Sequence, residues 1–373
     1  MLRAIAFASS LCLVALQATE ATPTAPEKHN RGYSYLHDEV KDVPWSIHVV
    51  KFDRLRKDFF LDTTLGLGTN FGMTVVSDQI KSLPPIPGKP VAAVNGDFFN
   101  SSPNYPGDPM GIQISRGELV SASIADRACF WLDAAGEPHR TNVLSQMRVI
   151  WPDGKSTPLG LNEERETDAA VLFTSVVGGA TRTTGGRELI LERNGTNAWL
   201  PLQVGRTYSA RVRSANTVGN SPLTRDTLVL SIGPKLSSCA ANVATGAVVQ
   251  ISTATLPDLA GATAAIGGGP TLVRGNSVIA LRESNGRNPR TAIGWNKTSF
   301  WMVVVDGRQG GLSVGMTLTE LANYMLKLGC EEALNLDGGG STTFWIMGNV
   351  LNSPSTGHER VAANSLVLFR RTN

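Results

Sequence analysis

Twelve residues near the C-terminus constrain this chain more than any other stretch: Ala333-Leu334-Asn335-Leu336-Asp337-Gly338-Gly339-Gly340-Ser341-Thr342-Thr343-Phe344. An apolar run ends in Asn335 and Asp337, which the alternation of a strand places on one face. Three glycines follow, then three hydroxyl residues, then the strand-like Phe344-Trp345-Ile346-Met347. Consecutive glycines cost backbone entropy. They are kept where the chain needs positive φ, or where something approaches the main chain too closely for a Cβ. A plain turn would explain the glycines alone. A carboxylate, an amide and a run of hydroxyls beside them make this strand end a candidate site.

The same transition recurs. Pro90-Val91-Ala92-Ala93-Val94 runs into Asn95-Gly96-Asp97, although Asn-Gly by itself also suits a tight turn. Ala265-Ile266 runs into Gly267-Gly268-Gly269-Pro270, and Ser299 to Val305 into Asp306-Gly307-Arg308. Arg290 and Thr291 stand at the entrance of another apolar run. Strand ends gathered at one sheet edge are where sheet-containing enzymes often build sites. Two carboxylates can share the duties that glycoside cleavage requires. Arg290, always charged and fork-shaped, suits a phosphate or carboxylate, and N–H groups of glycine loops hold further anionic oxygens. Together they predict an anionic, hydroxylated substrate.

Taken in order, Asn-Gly-Asp-Phe-Phe (95–99), Gly-Gly-Gly-Pro (267–270), Pro-Arg-Thr-Ala-Ile-Gly (289–294), Asp-Gly-Arg (306–308) and Asn-Leu-Asp-Gly-Gly-Gly-Ser (335–341) resemble the phosphodiester glycosidase family. The resemblance runs over roughly residues 45–370, and Arg360 in Glu359-Arg360-Val361 falls on the family's late arginine. It implies hydrolysis of the bond between a sugar's anomeric carbon and a phosphate oxygen, giving free sugar and a phosphomonoester. It implies Asp337 and Asp306 as catalytic carboxylates, one of them activating water or attacking the anomeric carbon. Substrate binding would fall to Arg290, Thr291, Asn95, Asn335, Gly339, Gly340, Ser341 and Arg360. A lysosomal member of the family has glutamine where Arg308 stands, which implies a role in specificity for Arg308. The implied partner is a glycosyl phosphodiester or a phosphate-containing polysaccharide.

The second reading is a non-catalytic protein that binds carbohydrate or cell-wall polymer on the same scaffold, in which both aspartates could be replaced with little loss. An esterase or amidase would need a nucleophile–base arrangement. Of the histidines at 29, 37, 48, 139 and 358, only His358 lies near a motif. No cofactor is expected. Ca²⁺ is the one ion the residues could hold, through Asp337, Asn335 and backbone carbonyls, but no dense acidic loop accompanies them.

The remaining expectations concern organisation. Arg3 followed by the apolar Ala4 to Leu16 and the small Ala18, Thr19 and Ala21 reads as an export signal over 1–21, too short to span a membrane. The mature protein is then secreted or periplasmic, with no integral membrane segment. Residues 22–44 read as a linker and 45–373 as a single large domain, with 140–260 as a strand-rich lobe. A net charge of +3 without a Lys/Arg run argues against nucleic acid. Cys129, Cys239 and Cys330 allow one disulfide plus one free thiol, with the pair undetermined. The 38 glycines and 20 prolines call for many turns and short strands. Met73 to Leu83 has helical spacing. Residues 317–328 carry the clearest helix, with Thr317 and Glu320 as a capping box and Gly329 as its stop. The expected class is α+β: mixed, largely antiparallel sheets with a few helices.

Overall fold

Short apolar runs between glycine and proline breaks are too brief for helices, and here they pair edge to edge. A computed structural model of the chain describes residues 32–86, 88–123, 127–196, 199–281 and 286–372. The export-signal expectation for residues 1–21 lies outside these. Four sheets of seven, six, eight and five strands carry the architecture.

The α+β expectation is overturned. The described residues are mostly β, with 43% of them in strands and 9% in helices, and the sheets curve into barrel-like and half-barrel shapes. The two α-helices among the described residues, Val76–Lys81 and Leu318–Lys327, lie on outer faces of sheets and form no layer of their own. Their sequence signals were sound: Thr317 Oγ1 accepts from the Glu320 N–H at 3.1 Å, and Glu320 Oε2 accepts from the Thr317 N–H at 2.8 Å. What the helical periodicity cannot report is how many sheets surround it.

The Ser299–Val305 strand shows how the layers form. All its residues are buried. Phe300, Met302 and Val304 point into a central core, while Trp301, Val303 and Val305 pack on the far side with Leu321, Ala322 and Met325 of the long helix. Strand alternation thus gives one strand two hydrophobic faces. The five-stranded sheet repeats the device. Val94, Leu366 and Leu368 face the same central core, and Ala93, Val367 and Phe369 face Val76 and Ile80 of the short helix. In the six-stranded sheet, Ala128, Phe130 and Ile266 face that core, whereas Cys129 and Ala265 face a separate one. Three sheets therefore close around one apolar interior. The eight-stranded sheet, between Arg148 and Ser252, has its own core and packs outside the six-stranded one.

Two further expectations change. Within the stretch read as a linker, 22–44, Tyr33–Val40 is a strand paired with Trp45–Asp53 from Tyr33↔Phe52 to Val40↔Trp45. Its polar alternation hides it, because only one edge is paired. Among the described residues no disulfide forms: Cys129, Cys239 and Cys330 are free thiols. Cys129 and Cys330 sit in different cores, and burial pushes both thiols up to about 12.

Antiparallel register brings the motif-bearing strand ends to one end of the barrel. Val305 pairs with both Ile47 and Arg290, and Ala292 pairs with Asn335. Asn95 ends its strand opposite Ser365, and Gly267 lies opposite Cys129, two residues from Arg127.

Candidate active site

The glycine loop is built around Asn95. This fully buried amide accepts from the Thr291 hydroxyl at 2.7 Å and from the Thr343 N–H at 3.1 Å, and donates to the Asp337 carbonyl at 2.7 Å. The Asp337 N–H in turn donates to the Gly96 carbonyl at 2.9 Å. Three strand ends distant in sequence are thereby tied to one side chain. Asn95 and Thr291, read as substrate-binding residues, spend their polar atoms on each other and on the loop. Asn335 does likewise with its amide nitrogen, which donates to the Gly269 and Leu336 carbonyls at 2.8 and 2.7 Å. Its Oδ1 is buried without a hydrogen-bond partner.

Asp337 is the carboxylate this frame presents. Its side chain is 14% exposed. The Gly338 N–H donates to Oδ1 at 2.8 Å, and the Ser341 hydroxyl favours the charged form of the carboxylate. Burial raises its pKa above the ordinary aspartate value, opposed by Ser341, the Gly338 N–H, Arg360 and Arg127.

The glycines accommodate arginines. Gly339 has φ +61°, and a Cβ there would lie 3.1 Å from Arg308 Nη2; a Cβ on Gly340 would lie 3.3 Å from Arg360 Cδ. A Cβ at either glycine would crowd a guanidinium-bearing side chain against the loop, and at Gly339 the positive φ adds strain of its own. Arg308 is itself held at φ +59° and forks onto Asn288 Oδ1 at 3.0 and 2.9 Å. Arg360 is 49% exposed and donates to the Ser341 hydroxyl.

Arg290 is placed differently from its expected role. It is 8% exposed and donates to the carbonyls of Met316 at 2.8 Å and Gly286 at 3.2 Å. Burial and the nearby positive charge of Arg308 lower its pKa. It braces the strand entrance behind the two arginines on the loop.

Asp306 is also withdrawn from the surface, at 1% exposure. Its Oδ2 accepts from the Ser46 hydroxyl at 2.8 Å and contacts His48 Nε2 at 3.0 Å. Its Oδ1 accepts from the Ser353 N–H at 2.8 Å and Asn352 Nδ2 at 3.2 Å. Asn352 also donates to the Thr342 carbonyl and accepts from the Phe344 N–H. Asp306 thus grips the segment after the glycine loop from behind, and its oxygens are occupied. His48, stacked on His37 at 4.4 Å between ring centroids and in contact with the Tyr35 hydroxyl at 2.8 Å, completes this network. The motif reading passed over His48, whose one sequence signal is a polar residue within the strand-like Ile47-His48-Val49.

Arg127 was missed as well. Its guanidinium donates to the buried Asp97 at 2.6 Å, lies over the Phe98 ring and contributes to the field at Asp337. A basic residue opening the apolar run Ala128-Cys129-Phe130 was its one visible mark. Burial raises the Asp97 pKa, with Arg127 opposing, and its Oδ2 has no hydrogen-bond partner. Among the described residues no group of three or more His, Cys, Asp or Glu side chains could hold a metal ion. No described helix is long and apolar enough to cross a membrane.

Comparison with known proteins places the fold. A Synechocystis protein has the same fold at a TM-score of 0.70 and 18% identity, over 91% of this chain and 62% of that one. A Burkholderia pseudomallei protein matches at a TM-score of 0.66 and 24% identity, over 87% and 74% of the two chains. The SPbeta prophage-derived protein YomE of Bacillus subtilis is 35% identical over 85 residues, 22% of this chain and 13% of YomE. This chain therefore covers less than two thirds of the Synechocystis protein and a small part of YomE. Residues 234–369 match the phosphodiester glycosidase family. That span contains Arg290, Asp306, Asp337, the glycine loop and Arg360, and over it this chain is similar to a phosphodiester glycosidase domain.

Proposed function

We propose that the protein is a hydrolase that cleaves the glycosidic bond of a sugar-1-phosphodiester, releasing the sugar and a phosphomonoester. The observation that carries this reading is the pairing of one accessible carboxylate, Asp337, with the Arg360 and Arg308 guanidinium groups lying on the same glycine loop. The arginines suit the two non-bridging phosphate oxygens. The carboxylate suits the positive charge that develops at the anomeric carbon as the carbon–oxygen bond breaks.

In this scheme the phosphodiester docks on Arg360 and Arg308, which stabilise the departing phosphate monoester. Such a leaving group needs little protonation, so a second carboxylic acid is not required. Asp337, ionised, meets the anomeric carbon directly or through the attacking water. Asn95, Thr291 and Asn335 act through the loop, holding Asp337 in place. Asp306 with His48 and Asn352 is a positioning network on the opposite side of that loop.

Export belongs to the same proposal. The leader-like residues 1–21 support it, and the Burkholderia protein of this fold is provisionally described as exported. A phosphate-bearing extracellular or envelope polysaccharide is then the natural substrate class.

The test is a panel of glycosyl-1-phosphodiesters with analysis of both products. Free sugar plus phosphate retained on the aglycone, lost in Asp337→Asn, supports the proposal. Saccharide binding without turnover by the native protein would replace it with the binding-protein reading.

A further inference from the structure

The barrel has a second open end. Phe52 pairs with Phe300 at the end of their strands remote from Ile47 and Val305, and Leu132 ends the strand that Arg127 begins. A cavity of about 780 Å³ opens there. It is lined by the loop after Trp45–Asp53, the Arg116-Gly117 turn, the 133–138 hairpin and the C-terminal Arg371. This is the volume of a site for a drug-sized molecule.

Its walls have two characters. Phe52, Phe59, Phe60, Leu61, Leu132 and Phe300 form an apolar lining. Five basic side chains, Arg54, Arg56, Lys57, Arg116 and Arg371, face two acids, Asp62 and Glu137. Arg54 is matched by Glu137, and Arg56 by Asp58 at 2.8 Å. Among the described residues Lys57, Arg116 and Arg371 form no ion pair. Arg371 instead lies over the Phe60 ring at 4.7 Å and donates to the Lys57 carbonyl. The remaining acid, Asp62, turns Oδ1 to the Thr63 and Arg116 N–H groups at 2.8 and 3.1 Å. Arg116 acts on the Asp62 and Glu118 carboxylates, but the rim still carries more basic than acidic side chains. An aromatic cleft under such a cationic rim is complementary to an apolar body carrying a negative head.

We propose that this cavity is a binding site for an amphiphilic organic anion, with its apolar tail or ring among the phenylalanines and its carboxylate or phosphate at Lys57, Arg116 and Arg371. It stands at the opposite end of the barrel from Asp337 and is independent of the hydrolytic reading. The occupant is a soluble monomer, because the apolar surface is recessed below the basic rim.

The probe is decanoate, titrated into the full chain by calorimetry below its micellar range, with uncharged decanol as comparison. The expected result is one site per chain, at least about tenfold weaker for decanol and for the Lys57→Glu/Arg371→Glu double variant. Both reversals are at exposed positions, so thermal unfolding should be unchanged. Ala134→Trp, on the exposed hairpin at the cavity wall, should also block binding. Decanoate that fails to bind overturns the proposal. So does binding that both variants leave intact, which would put the ligand elsewhere. Binding only to anionic-amphiphile micelles or vesicles, and never to monomer, overturns it too.

Discussion

Arg360 Nη2 stands 3.9 Å from Asp337 Oδ2 and donates to the Ser341 hydroxyl, and Arg360 and Ser341 both favour the charged form of the Asp337 carboxylate. The two charges thus face each other without closing a tight ion pair. Asp337 keeps an oxygen for chemistry, and the half-exposed guanidinium keeps N–H groups for a ligand. The neighbouring Arg290 and Asp306, by contrast, have spent theirs on the protein.

That contrast separates the arginines. Arg360→Ala should lower kcat/KM on a sugar-1-phosphodiester by about a hundredfold and leave the unfolding temperature nearly unchanged. Arg290→Ala should lower the unfolding temperature, because the Met316 and Gly286 carbonyls lose a charged donor inside the fold. Thermal scans beside the kinetics check both. An Arg290→Ala protein of native stability with the larger kinetic loss would return the phosphate-binding role to Arg290.

The Asp337 pKa is raised by burial, so the folded protein holds this proton more tightly than the unfolded chain. Activity that needs the carboxylate should therefore rise with pH along an acid limb lying above the ordinary aspartate range. Arg360→Gln should move that limb to still higher pH, since Arg360 opposes the shift. The same sign applies to stability: the contribution is complete below the unfolded pKa and is lost as pH rises through the folded one. Asp337→Asn should thus be inactive yet no less stable than the native protein at neutral pH.

Asp306→Asn should behave in the opposite way. Its amide nitrogen would face the donors of Ser46 and His48, or of Ser353 and Asn352, leaving buried groups unmatched at roughly 1–3 kcal/mol each. A fall in unfolding temperature together with reduced turnover is expected. Full stability with abolished turnover would instead make Asp306 the second catalytic carboxylate.

Asp62, at the far end of the barrel, offers a test that needs no substrate. Burial raises its pKa to about 6, against two N–H donors that favour the charge. The contribution to stability is present below the unfolded value near 3.8 and is lost as pH rises through about 6. Asp62→Asn keeps an oxygen for both N–H groups and removes the buried charge. It should be stabilised at neutral pH by about 1–3 kcal/mol, with the difference vanishing below the unfolded pKa. Denaturant titrations at two pH values measure this.

Glycine spacing, apolar run length and the polar residues that end each run were legible in the sequence because they are local. They marked Asp337 and the glycine loop at a strand end and the Thr317 cap at the start of its helix, while Arg360 came only from the family resemblance. The α+β class failed for a related reason. Helical periodicity marks a helix wherever it occurs, but a sheet closes into a barrel only through pairings across hundreds of residues, such as Asn95 with Ser365 and Ile47 with Val305.

The sequence by itself determined which chemical groups this protein could bring to a site: aspartates, arginines and Cβ-free backbone at strand ends. Only the tertiary structure decided which of them face outward. Asp306 and Asp337 both follow an apolar strand and precede a glycine, yet one is enclosed by Ser46, His48, Asn352 and Ser353 while the other looks out beside Arg360. Accessibility depends on what packs behind a residue. For Asp306 that is a histidine from the second strand and an asparagine some forty-six positions onward, a coincidence of register and closure that no stretch of sequence contains.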